Sequence, residues 1–261
     1  MRRRAFASVR NSEPGRILCL HPDAMRVGYE QQKVDPGCIV GGIGVLCVNG
    51  PISSRSDPWG WWDNYEQVLQ RFKDRLYCDE VDALLMKFSS PGGDAAGLTE
   101  CCDDMLKVKE ETGKPVYAYA DDACYSAAFA LACTADEIYL ARSAGLGSIG
   151  VICAMISYDK ANKKAGVDVD YVTSGDRKAD GMPDAPISKE ARAHVQRRVD
   201  QLAAIYWELV STTRRISVAK VKGFEADTFY GDEAVEAGLA DDVMSLDDVL
   251  RFARKRIARG Q

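Results

Sequence analysis

Apolar positions along this chain fall either into short unbroken runs or into helical stripes. After a polar opening that ends in KVDPG, the run CIVGGIGVLCVNG is apolar and β-branched, and predicts a strand with a glycine-softened start. In NYEQVLQRFKDRLY, Val68, Leu69, Phe72 and Leu76 share one helical face. The order then repeats. VDALLMKF reads as a buried strand, SSPGG as a turn, DAAGLTECCDDMLKVKEETG as a helix and PVYAYA as a further strand. YSAAFALACTA is a helix of small residues, EIYLA a short strand, and VICAMIS an apolar run that reads as a strand. From Ser188 to about Ile216 runs one long amphipathic helix, with Val195, Val199, Leu202, Ile205 and Leu209 as its stripe. Strands alternating with helices imply an α/β fold with a largely parallel sheet. No repeat or low-complexity linker interrupts the pattern, which divides the chain into an N-terminal extension, 1–36, and one domain, 37–261.

At 261 residues, 46% of them hydrophobic, the chain can bury a substantial core. A net charge of −5 argues against a dedicated nucleic-acid surface. The basic opening MRRRAFASVR reads as a solvated start, with an anionic partner as the alternative. No run approaches the ~18 apolar residues of a membrane span. The segment NSEPGR follows the arginines where a secretory signal would carry its apolar core. The nine cysteines are odd in number and contain no C-x-x-C pair. That points away from a metal site or a disulfide framework and toward a soluble protein of a reducing, cytoplasmic compartment.

Two glycine clusters carry candidate chemistry. GLGSIG, Gly145 to Gly150, has the G-x-G-x-x-G spacing of a pyrophosphate cradle. Such a cradle needs a helix opening at its third glycine, and here a strand-like run follows instead. FSSPGGDAAG sets a stiff, glycine-rich turn between a buried strand and a helix. Its exposed N–H groups could form an oxyanion hole; a plain tight turn is the other reading.

In DDACYSAAFALA, Ser126 opens the small-residue helix in the strand–turn–helix setting that exposes a nucleophilic hydroxyl. A simple helix N-cap remains open there. The only histidines are His21, in the extension, and His194, inside the long helix, so a Ser-His-Asp triad has little support. A lysine serves as a base when burial lowers its pKa. Lys178, in the polar loop VTSGDRKADGMPDAPIS, is the candidate, with a plain loop cation as the alternative.

Taken in order, SSPGG, ACYSAAFALA, GLGSIGV and GDRKADG resemble the protease IV and signal-peptide-peptidase A family of Ser-Lys serine peptidases. The likeness extends over about residues 38–245, including FYGDEAVEAGLADDV. It implies a Clp-protease/crotonase-like fold with repeated ββα units. Residue by residue, it implies Ser126 as nucleophile and Lys178 as general base. Gly93 and Ala127 become the oxyanion donors and Ser148 the residue that positions the lysine. Gly92, Asp94, Gly147 and Gly150 would line an extended substrate strand. No metal or organic cofactor is implied.

LCLHPDAMRV and KADGMP are most similar to the phage prohead protease branch, which cleaves capsid and scaffold proteins during procapsid maturation. That branch implies protein substrates, homo-oligomeric assembly and a setting in the host cytoplasm or inside the procapsid. The long helix at 188–216 is a candidate assembly surface, and Trp59, Trp61 and Trp62 read either as an exposed contact patch or as core-packing residues. A soluble bacterial signal-peptide-peptidase-like protease, a crotonase-type acyl-CoA enzyme and a non-catalytic capsid- or scaffold-binding protein are the competing readings.

Overall fold

The structure, a computed structural model, describes residues 17–20, 38–55 and 62–259. The basic opening, His21, Trp59 and Trp61 lie outside the described residues, while Trp62 is half-buried. The first strand, β1 (Ile17–Leu20), comes from the N-terminal extension. The run expected to be one strand is a hairpin. β2 (Cys38–Val40) and β3 (Ile43–Asn49) pair antiparallel through Gly41 and Gly42, at φ 61° and 80°. Two consecutive left-handed residues give the turn whose twist suits a hairpin, and glycine takes both at little cost.

Next come α1 (Tyr65–Leu76), β4 (Ala83–Ser90), β5 (Gly92–Asp94) and α2 (Leu98–Thr112). They are followed by β6 (Val116–Tyr125), α3 (Ala127–Ala132), β7 (Glu137–Leu140), β8 (Gly145–Gly147) and β9 (Ile152–Cys153). The C-terminal part contains α4 (Asp159–Lys164), α5 (Lys189–Arg214), α6 (Val218–Gly223) and β10 (Thr228–Tyr230). It closes with α7 (Asp232–Ala237), β11 (Asp242–Val243) and α8 (Leu246–Ile257).

The main sheet runs β10-β8-β6-β4-β3-β2, with β7 and β11 branching from β6. The pairs β3–β4, β4–β6, β6–β7, β6–β8 and β7–β11 are parallel, and only β2–β3 and β10–β8 are antiparallel. The expected α/β fold with a mostly parallel sheet is therefore present. β6 forks: residues 117–120 pair with β7, and 123–125 with β8. A second sheet, β5-β1-β9, is antiparallel throughout.

Both faces of the main sheet are covered, which is why Ala83–Met86 of β4 and Val116–Ala120 of β6 read as unbroken apolar runs. Strand alternation sends Leu84, Met86 and Phe88, with Val116, Ala118 and Ala120, into the larger core with α1, α2 and α3. Ala83, Leu85, Tyr117 and Tyr119 go to the opposite face, against Val249 and Ala253 of α8. Helix α1 buries Val68, Phe72 and Leu76 as its spacing predicts, starting from an Asn64 cap whose Oδ1 accepts the Gln67 N–H at 2.9 Å. Cys101 and Cys102 are helical and buried in α2.

Helix α5 spans nearly the expected range but packs a different face. Ala191, Ala203, Tyr206 and Val210 are its buried positions, the last two in the larger core, whereas Ile205 is 45% exposed. Leu202 and Leu209 only flank that face. Tyr206 escaped the apolar stripe because its ring is apolar but its hydroxyl needs a partner.

The connection from β3 to α1 is pinned by charge. Asp63 is buried, with Oδ1 2.5 Å from Arg71 Nη2, while Arg71 Nη1 donates to the Cys47 carbonyl at 3.1 Å. Burial pushes the Asp63 carboxyl above the ordinary carboxylate range, against the pull of Arg71. Arg71→Met leaves this carboxylate buried without its counter-charge and is expected to cost about 3 kcal/mol in urea unfolding at neutral pH. The loss should shrink as pH falls, because protonated Asp63 needs no cation.

Candidate active site

Strand β6 delivers the chain to Ser126, and α3 leaves from it. Ser126 stands at φ 52°, ψ −119°, a sharp strand-to-helix turn, and is 1% exposed. Its N–H donates to the Gly147 carbonyl at 2.8 Å. Its own carbonyl accepts the Ala130 N–H at 3.0 Å and the Tyr206 hydroxyl. Its Oγ lies 3.4 Å from the Gly150 carbonyl. The same backbone conformation recurs at Gly231, φ 50°, ψ −127°, where β10 turns into α7. There the chain uses glycine, which adopts it without strain. A side chain in that conformation at Ser126 costs about 1–3 kcal/mol, and such outliers concentrate at functional sites.

The helix leaving this turn is buried on every side: Ala127, Ala128, Phe129, Ala130, Leu131 and Ala132 are all at 0% exposure. Small side chains let it press against β5. Ala127 is its first residue, so helix geometry gives its N–H no partner four residues back. In β5, the Gly92 carbonyl accepts from Ile52 N–H at 2.9 Å, and Asp94 N–H donates to the Ile52 carbonyl at 2.9 Å. Strand alternation therefore turns the N–H of Gly93 away from Ile52. A Cβ on Gly93 would sit 1.9 Å from the Ile52 oxygen, so only glycine fits. Asp94 is buried and engaged internally: its Oδ2 accepts the Ser54 N–H at 2.6 Å and its carbonyl accepts the Tyr65 hydroxyl.

The GLGSIG glycines have a structural use. Gly147, at φ 110°, lies against the segment before β10, and a Cβ there would come within 2.6 Å of the Asp227 carbonyl. A Cβ on Gly150 would come within 2.8 Å of the Ala226 Cβ. Ser148, buried and at φ 53°, donates its N–H to Asp227 at 2.8 Å. Past Gly150 the chain runs into β9, so no helix opens there to hold a phosphate.

The structure brings Ser126, Ala127, Gly147, Ser148 and Gly150 together around one turn, with β5 packed against α3. It does not bring Lys178 to them. Lys178 is exposed in a turn where its N–H donates to Gly175 O at 3.0 Å, and among the described residues no ionisable side chain bonds Ser126 Oγ. It rides on an arm without a core: no residue from 150 to 190 is buried. Asp184 fastens that arm to itself, accepting from Asn162 Nδ2 at 2.8 Å and the Tyr171 hydroxyl at 3.1 Å. His194 lies on α5, with Nδ1 3.3 Å from Arg197 Nη2.

Two thiols near Ser126 could compete as nucleophiles, and burial disarms both. It pushes Cys124 well above the ordinary thiol range and Cys133 up to about 12. Neither forms appreciable thiolate at neutral pH. The Ser126 hydroxyl is the remaining candidate nucleophile at this turn.

The model of peptidase family S49 matches residues 108–258, more than half of the chain. The chain belongs to peptidase family S49. The match includes both Ser126 and Lys178, and β5 lies before it. This S49 chain is 33% identical to the capsid assembly protease C of Escherichia phage lambda over 219 residues, 83% of this chain and 49% of that protein. It is 32% identical to the head-tail preconnector protein GP5 of Enterobacteria phage P21, covering 81% of this chain and 42% of that one. Protease 4 of Haemophilus influenzae is 24% identical over 76% of this chain and 32% of its own length. The chain thus spans about half the length of the phage relatives, or less.

Sequence reasoning missed three supports of the site. Ile52 sandwiches β5, Asp227 closes over β8, and Tyr206 holds the Ser126 carbonyl. Only Tyr206 left a signal, sitting between Leu202 and Leu209 at helical spacing. Tyr206→Phe keeps the ring and removes the donor. It should lower stability by about 1 kcal/mol in thermal or urea unfolding and slow modification of Ser126 by a fluorophosphonate.

Proposed function

We propose that this S49 chain is a serine endopeptidase that uses Ser126 as nucleophile and acts on capsid or scaffold proteins during phage head maturation. The observation that carries the reading is the strained, buried Ser126 at a strand-to-helix turn, flanked by the backbone donors of Ala127 and β5. Attack of Oγ on a peptide carbonyl places negative charge on the carbonyl oxygen. The N–H groups of Gly93 and Ala127 are the proposed donors to it. The acyl-enzyme that forms as the amine leaves is then hydrolysed by water.

The Gly150 carbonyl beside Oγ accepts a hydrogen bond but cannot take up a proton, so a base has to be supplied. Lys178 is the proposed base, and Ser148 the residue that orients its amine. A lysine is a competent base only when desolvated, so the arm must close on the cleft before reaction. Val172, 95% exposed, and the exposed Met182 and Ile187 give that arm an apolar surface to bury, which supports a homo-oligomeric working form. The substrate is proposed to lie extended along β5 and β9, with a cleft of about 450 Å³ beside β9 receiving side chains. Val151, Met155, Ile187 and Val199 are among its lining residues. The names of the phage relatives support capsid or scaffold proteins as substrates, in the host cytoplasm or the procapsid.

The reading is tested with a fluorophosphonate probe and co-expressed capsid and scaffold proteins. Wild type should be labelled and should cleave; Ser126→Ala should do neither. Lys178→Ala should cleave at least about 10²-fold more slowly. Ser148→Ala should slow cleavage while unfolding at the wild-type temperature. Cleavage that survives in Ser126→Ala sinks the assignment.

A further inference from the structure

The proposed substrate path between β5 and β9 holds a segment of the protein's own chain. β1 lies between β5 and β9 and is antiparallel to both. Leu18, Cys19 and Leu20 stand opposite Asp94, Gly93 and Gly92, while Ile17 and Leu18 stand opposite Cys153 and Ile152. Since Ile52 takes the other side of β5, the N–H and carbonyl of Gly93 face Cys19. Two short strands with a strand-wide gap between them are the arrangement that captures an extended peptide through main-chain bonds. Here the gap is filled from a segment far away in sequence.

We propose that Ile17–Leu20 is a built-in occupant of the peptide cleft, which holds other chains away from Gly93 and Ser126 until it is displaced. The inference rests on the peptidase reading for what the cleft binds. Three features favour an occupant that comes and goes over a permanent strand. β1 is only four residues long, its ladder to β9 covers two residue pairs, and it lies outside the main sheet. A tethered segment competes at an effective concentration in about the millimolar range, so a free substrate must outbid it. Competition of this kind raises the apparent KM by one plus the ratio of blocked to open form, and leaves kcat unchanged.

The test uses the full chain with Cys19→Pro, which removes the N–H facing Gly93, and Cys19→Ser, which keeps it. Cys19→Pro should lower KM for a fluorogenic extended peptide about tenfold with kcat within about twofold, and Cys19→Ser should behave as wild type. In a Ser126→Ala background, Cys19→Pro should tighten binding of the same peptide, read by fluorescence polarisation, by a similar factor. Hydrogen exchange on the wild-type chain supplies a readout that needs no variant: the Gly93 amide should be protected, and become exchangeable in Cys19→Pro. An unprotected Gly93 amide in wild type overturns the proposal, as does an unchanged KM and peptide affinity in Cys19→Pro; both leave the peptidase reading standing. Tightened peptide binding without hydrolysis or fluorophosphonate labelling of Ser126 keeps the occupant and overturns the peptidase.

Discussion

The structure turns on holding one serine in a backbone conformation that serine does not favour. Ser126 is fixed at both of its peptide groups, by the Gly147 carbonyl on one side and by Ala130 and Tyr206 on the other. Each of those partners comes from a different element: β8, α3 and α5. Strand β8, the buried helix and the long helix are therefore coupled through a single residue. Local strain of this size persists only where the surroundings over-determine it, and three independent elements meet that condition.

Close approach of main chain to main chain is the second organising fact. Gly93 and Gly147 sit where a Cβ would collide with the carbonyls of Ile52 and Asp227. Their role is to let neighbouring backbone segments stack at contact distance around the turn. This gives a rigid half of the site, built from buried elements. The proposed other half is the arm from β9 to α5, in which no residue from 150 to 190 is buried and which carries Lys178. Stability is distributed unevenly across such a molecule, and segments that must move come from its low-stability end.

Much of this was legible in the sequence where a single segment determines its own state. The runs in β4 and β6 and the stripe of α1 announced themselves through periodicity, since both faces of those strands and one face of that helix are buried. Ser126 and the turn at Gly92–Gly93 were legible through their setting between strand and helix. Features that depend on distant partners were not. Gly41 and Gly42 become a hairpin turn only because Cys38–Val40 folds back on β3. The pairing of Ile17–Leu20 with Gly92–Asp94 joins segments that share no local signal. The packed face of α5 is chosen by Tyr206, whose hydroxyl finds its partner eighty residues away. Nor does spacing alone bring Lys178 to Ser126, because it rides on a segment with no core to fix it.

The fork in β6 has a consequence for how this chain can vary. One strand takes its register from β7 up to Ala120 and from β8 after Ala123, so the two partners must agree on the same backbone. The connection from Leu140 to Gly145 carries that agreement. Adding or removing one residue there would shift β8 against β6, and the Ser126 N–H would meet a carbonyl other than that of Gly147. A change in length would thus be felt at Ser126 although no residue near it had been replaced. The arm after β9 is under no such restriction. Related chains should therefore differ in length along the arm and keep the short link between β7 and β8 constant.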